Sequence, residues 1–234
     1  MDTLRIFFLI FGIFVQSSFT LDNDFDLLVF SQQWIKSLCI KSQIPQNKCN
    51  LPQEDHWTIH GIWPSQYQQQ SPWNCRPDLL FQVNKLDNIR NELELKWPSV
   101  HVNNSEKFWK HEWDKHGTCS ITLNSMNTME KYFKMGLKLN RIHNIKNIFE
   151  RSNITPGGIY NVRQILNALK ENLGVSTNVM CAKRRKSKNQ YLLEIRICLN
   201  KELRLIDCRD HFKFETNCEQ SKLVVYPERQ DDYK

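Results

Sequence analysis

Two stretches of the chain alternate apolar and polar residues with a period of two. In His56–Pro64, HWTIHGIWP, the apolar Trp57, Ile59 and Trp63 alternate with Thr58 and His60, which predicts a half-buried strand. His60 then points away from the Trp57 and Ile59 side, just before Gly61, a residue that lets another group come close. Near the C-terminus Leu193, Ile195, Ile197 and Leu199 alternate with Glu194, Arg196 and Cys198, predicting a strand that turns back near Asn200. A helical period appears where Val162, Ile165, Leu166, Leu169 and Leu173 recur before Gly174, and a second helix is expected over Thr128 to Phe149. These apolar stripes are core, and mixed elements of this kind are consistent with an α+β domain.

One further segment, FWKHEWDKHGTC from Phe108 to Cys119, comes after the acidic Glu106 and contains no Pro or Gly until Gly117. A helix capped near that glycine is expected. At about 100° per residue, His111, Lys115, Glu112 and His116 fall within an arc of about 140°. Trp109 and Trp113 form an i, i+4 pair beside that arc. The four polar groups can therefore converge beside an aromatic wall.

Other features bound the whole chain. The first residues, MDTLRIFFLIFGIFVQSSFT, place Arg5 before an apolar run from Ile6 to Val15 that is too short to cross a bilayer. A signal peptide over residues 1–20 and a single domain over 21–234 are expected, with no membrane span. Eight cysteines, an even set without a Cys-x-x-Cys knuckle, predict disulfides rather than zinc in a secreted chain. Asn103 (NNS) and Asn153 (NIT) are glycosylation sequons. The 32 lysines and arginines exceed the 25 aspartates and glutamates, a net charge of +7 that favours a polyanionic partner. The densest basic cluster, Lys183, Arg184, Arg185, Lys186 and Lys188, is read as a solvated loop between strands, with an RNA or heparin patch as the alternative.

Taken alone, the histidine-bearing helix fits a solvated, salt-bridged surface better than it fits proton-transfer chemistry. The zinc arrangement His-Glu-x-x-His places its ligands four residues apart. His111 and His116 are five apart, about 140° around the helix, which is poor for chelation. Adding His60 from the strand changes the balance. One imidazole can take a proton from an RNA 2′-hydroxyl, another can protonate a departing 5′-oxygen, and cations can meet charge on the phosphoryl oxygens. No metal or cofactor is required.

WTIHGIWP and FWKHEWDKHGTC closely resemble the two active-site segments of the ribonuclease T2 family of secreted and lysosomal acid ribonucleases. The resemblance extends from Gln32-x-Trp34 to the paired C-terminal cysteines and VVYP. It implies an α+β fold, with helices packed on a mostly antiparallel central sheet. It implies the disulfides Cys39–Cys49, Cys75–Cys119, Cys181–Cys218 and Cys198–Cys208. It also implies His60 as general acid, His116 as general base, His111 as phosphate ligand, and Glu112 and Lys115 as transition-state stabilisers. Single-stranded RNA is the implied substrate, cleaved through a 2′,3′-cyclic phosphate. Trp63 matches a first base-pocket aromatic with Tyr67 as its partner, and Gln32 and Phe108 match second-pocket positions. Ser65 stands where many members carry Asp, which predicts a weaker base preference; Ile35 replaces a common Pro. The expected product is a secreted or lysosomal monomer. The alternative is a secreted glycoprotein that keeps this fold and acts through a receptor or glycan.

Overall fold

The computed structural model describes residues 24–67, 69–183 and 189–228. The expected signal peptide and all of the basic cluster except Lys183 lie outside the described residues; Lys183 itself pairs with Glu219.

The central strand is β5 (Gln190–Leu199). Along one side of it run β1 (Leu27–Gln33), antiparallel, and the short β7 (Val224–Val225), parallel. Along the other side run β4 (Asn178–Lys183) and β6 (Leu205–Ile206), both antiparallel. β2 (Thr58–Ser65) pairs with β1 and β3 (Ile159–Tyr160) with β7, both on the outer flank of that first side. The sheet is thus mixed and mostly antiparallel. β5 is buried almost throughout, so the alternation in its sequence separates two covered faces rather than core from solvent.

Register assigns those faces, because directly opposed residues share a side of the sheet. One face carries Leu28, Phe30, Ile59, Ile62, Ile195, Ile197 and Leu199, all fully buried in the main core. The other carries Ser31, Gln33, Trp63, Glu194 and Arg196. Pairing slips within β2: Ser31 opposes Gly61 while Gln32 opposes Ile59, leaving His60 as the extra residue of a bulge. A bulge reverses the facing of the residues beyond it. Trp63, expected beside Trp57 and Ile59, therefore lies on the opposite face, and Ile62 takes the core position.

Six α-helices occur among the described residues: α1 (Ile35–Ser42), α2 (Arg90–Lys96), α3 (Ser105–Lys115), α4 (Met129–Ile142), α5 (Ile145–Arg151) and α6 (Val162–Leu173). The single helix expected over Thr128 to Phe149 is two. The chain breaks at His143, whose carbonyl accepts from the Gln32 side chain at 2.8 Å. Asn144 then starts α5 by accepting from the Asn147 amide. Asn161 forms a capping box with Gln164 at the start of α6, and Gly174 closes that helix in the left-handed region at φ 75°. All four expected disulfides are present.

Candidate active site

His60 is held by its bulge. Its carbonyl accepts from the Trp97 indole at 2.9 Å, and the Tyr132 hydroxyl holds the next-but-one carbonyl, that of Ile62, at 3.0 Å. Backbone groups freed by the extra residue thus find partners. The His60 ring lies 5.0 Å from Trp63 and 6.0 Å from Phe108, centroid to centroid. Its Nδ1 meets Glu194 Oε1 at 2.5 Å.

The second set of groups comes from α3 and the residues that end it. Trp109 is fully buried and donates to the Trp97 carbonyl at 2.7 Å; Trp113 donates to the Leu79 carbonyl at 2.8 Å. These anchors turn Glu112 inward, leaving it 1% exposed, with Oε2 accepting from the Trp63 indole at 3.1 Å. The surface ion pair that α3 alone suggests is therefore absent at Glu112. His116 lies just past the helix, with φ −121° and ψ −46°, and its ring is 5.6 Å from Trp63 and 6.5 Å from the exposed His111. The Lys115 carbonyl accepts from the Asn74 amide at 3.0 Å, and Cys75–Cys119 fastens the same loop to the residues after His116.

Trp63 is the hub of this arrangement, in ring contact with His60 and His116 and hydrogen-bonded to Glu112. Gly61 makes that possible, since a Cβ there would overlap both Glu112 Oε2 and Trp63 Nε1. The structure thus brings His60, His111, Glu112, His116, Trp63 and Phe108 together, with Lys115 close enough to act on its neighbours' charge.

The ionisable groups are pushed apart. Burial drives the His116 imidazole down to about 3, helped by the charges of Lys115, His111 and His60. Burial also lowers His111, with Lys115 adding to the effect. Burial works against a charged His60 as well, but the hydrogen bond and charge of Glu194 outweigh it and hold that imidazole above its ordinary value. Burial lifts the Glu112 carboxyl to about 7. At Glu194 burial is overcome by His60 and Arg196, which hold it at about 2. One histidine is thereby kept neutral and another charged, the division that acid–base chemistry requires.

The base-pocket expectations divide. Tyr67 packs with Trp63 and Phe212 over Leu27 and Val29, and its amide donates to Asp26 at 2.8 Å. Ser65 is 4% exposed and its hydroxyl donates to the Trp63 carbonyl at 3.1 Å, so it is not a free reader of a base edge. Gln32 lies on the core face, wholly buried, its amide donating to the His143 carbonyl and its oxygen accepting from Asn140 at 2.8 Å. A substrate cannot reach it. Its neighbour Gln33 shares the face of Glu194 instead. The residues missed were Glu194 and Arg196. Their signal was opposite charges two apart in the otherwise apolar run Leu192–Leu199. Arg196 donates to Glu194 Oε2 at 2.9 and 3.1 Å and lies 5.3 Å from the Trp63 ring. Among the described residues no group of three His, Cys, Asp or Glu side chains is arranged to hold a metal.

Comparison with known proteins agrees with this geometry. The ribonuclease T2 family model matches residues 25–208. Ribonuclease Oy of Magallana gigas is 35% identical over 216 residues, 90% of this chain and all of that protein. Ribonuclease DdI of Dictyostelium discoideum is 34% identical, covering 80% of each. Among solved structures, RNase NT in complex with 5′-AMP superposes with a TM-score of 0.74 at 27% identity, over 87% of this chain and 98% of that one. Human RNase T2 superposes at 0.73 and 28%, with the same coverage.

Proposed function

The chain belongs to the ribonuclease T2 family and is a ribonuclease T2-type endoribonuclease, and from that premise we propose that it cleaves single-stranded RNA by proton transfer between His116 and His60. His116, neutral, removes the proton of the 2′-hydroxyl. The 2′-oxygen forms its bond to phosphorus as the bond to the 5′-oxygen breaks, and His60, charged, gives its proton to that leaving oxygen. The products are a 2′,3′-cyclic phosphate and a free 5′-hydroxyl. Water then opens the ring to a 3′-phosphate with the two roles exchanged. Lys115, His111 and Glu112 lie where charge builds on the phosphoryl oxygens. Trp63, Tyr67 and Phe108 supply aromatic faces of the kind on which unstacked bases settle.

The observation that carries this reading is the placement of His60 and His116 against one indole, Trp63, with opposite protonation tendencies. The leader-like start, the four disulfides and the exposed sequon asparagines Asn103 and Asn153 support a secreted glycoprotein. His60→Ala and His116→Ala test the roles. Each is expected to lower activity by about 10²–10⁴-fold without unfolding the protein. A folded variant of either kind that keeps more than about a tenth of the activity contradicts the assignment.

A further inference from the structure

We propose that Glu194 is the positioning residue of the general acid, a buried carboxylate that fixes the His60 ring through Nδ1, turns Nε2 toward the leaving oxygen, and keeps the imidazolium charged until transfer. This rests on the assignment of His60 as the acid and extends it to a strand that neither active-site segment contains.

Four observations carry it. The contact is direct, Nδ1 to Oε1 at 2.5 Å, with Glu194 only 5% exposed. The reach is built into the sheet. Glu194 opposes Gln33 on β1, and His60 lies on the far side of β1, next after the core-facing Ile59 and so on the face of Gln33 and Glu194. The carboxylate is itself held from behind, since both Nε and Nη2 of Arg196 donate to Oε2. That clamp leaves Oε1 to His60 and opposes movement of the His60 proton onto Glu194. Finally, the other charged and titratable groups facing His60 do not duplicate the role. Glu112 favours the imidazolium through its charge but binds Trp63 rather than the ring, Arg196 opposes the imidazolium, and the lowered His111 and His116 supply no negative charge to it.

A histidine whose Nδ1–H is bound to a carboxylate has one tautomer available, with Nε2 as the working nitrogen. In the first step Nε2–H goes to the 5′-oxygen while Nδ1–H stays with Glu194. The neutral ring that results presents a bare Nε2 to the water of the second step. Without the carboxylate the ring can rotate and loses its proton at lower pH.

The test is Glu194→Gln, which keeps the shape and removes the charge, assayed on two substrates: a dinucleoside monophosphate, whose leaving alkoxide needs a proton, and a uridine 3′-(p-nitrophenyl phosphate), whose leaving group does not. The loss in kcat is expected to be at least about ten-fold greater on the dinucleotide than on the ester. The alkaline limb of kcat/KM should move down by at least about one pH unit. Equal losses on both substrates, or an unmoved limb, overturn the proposal. His60→Ala on the same pair tests the underlying assignment separately: if it loses the ester as fully as the dinucleotide, His60 is not the acid and the proposal falls with it. An NMR titration of His60 in the unaltered protein needs no variant. Its midpoint should lie above the ordinary histidine value of 6.5, and a midpoint below that value refutes the role of Glu194.

Discussion

Gly61 and Glu112 set the site's tolerances at the scale of single residues. Because a Cβ at Gly61 would overlap both Glu112 Oε2 and Trp63 Nε1, Gly61→Ala must displace the indole that joins the two histidines. A cost of about 1–3 kcal/mol is expected from overpacking, with a larger proportional loss of kcat than of stability. A variant with normal kcat would show that Trp63 need not stay where it is. Glu112 gives a pH dependence with a definite sign. Its carboxyl is lifted from 4.5 to about 7 by burial, so its neutral form stabilises the fold fully below about 4.5. That contribution is lost as pH rises through about 7, by at most about 3 kcal/mol. Glu112→Gln removes the loss. The melting temperature of the variant relative to the unaltered protein should climb between pH 4.5 and 7, and a difference independent of pH would mean that Glu112 ionises normally.

At the scale of elements, Gln32 shows where the sequence misleads. Its position before Trp34 suggests contact with a base, yet it closes the end of α4 by binding the His143 carbonyl and Asn140. Gln32→Ala should therefore lower stability by about 1–3 kcal/mol by orphaning buried polar groups, while leaving KM and base preference unchanged. Altered base preference at unchanged melting temperature would restore the binding role. The α4–α5 break has the same origin. Helical periodicity continues past His143, and only a strand distant in sequence supplies the partner that ends the helix. The bulge at His60 was equally hidden, because alternation in HWTIHGIWP reads smoothly through it and only pairing with β1 exposes the extra residue. What could be read locally held: α3, α6 and β5 appear close to their expected bounds, since each carries its own period and stop signals.

Across the whole molecule, the chain is tied where the chemistry needs it. Trp34 donates to the Pro227 carbonyl and Trp57 to the Tyr226 hydroxyl, so the VVYP segment near the C-terminus locks the entry to β2. Cys75–Cys119 spans 44 residues and joins the loop after His60 to the end of the His116 segment. Chain entropy assigns such a closure about 4 kcal/mol. Replacing both cysteines by alanine should lower activity at temperatures where the protein is still folded, whereas losing Cys198–Cys208 should chiefly lower stability. Equal activity in the two folded variants would separate this bridge from the site. The convergence of His60 and His116 was legible from two motifs, but their opposite protonation was not, since it depends on burial and on Glu194 from a third segment. The central claim is that these two histidines pass protons through a cyclic intermediate, and it is tested most directly by following a dinucleoside monophosphate by phosphorus NMR in the presence of EDTA. The account predicts that the 2′,3′-cyclic phosphate accumulates first and the 3′-phosphate appears after it. A 5′-phosphate product, or no cleavage until a divalent metal is restored, would contradict it.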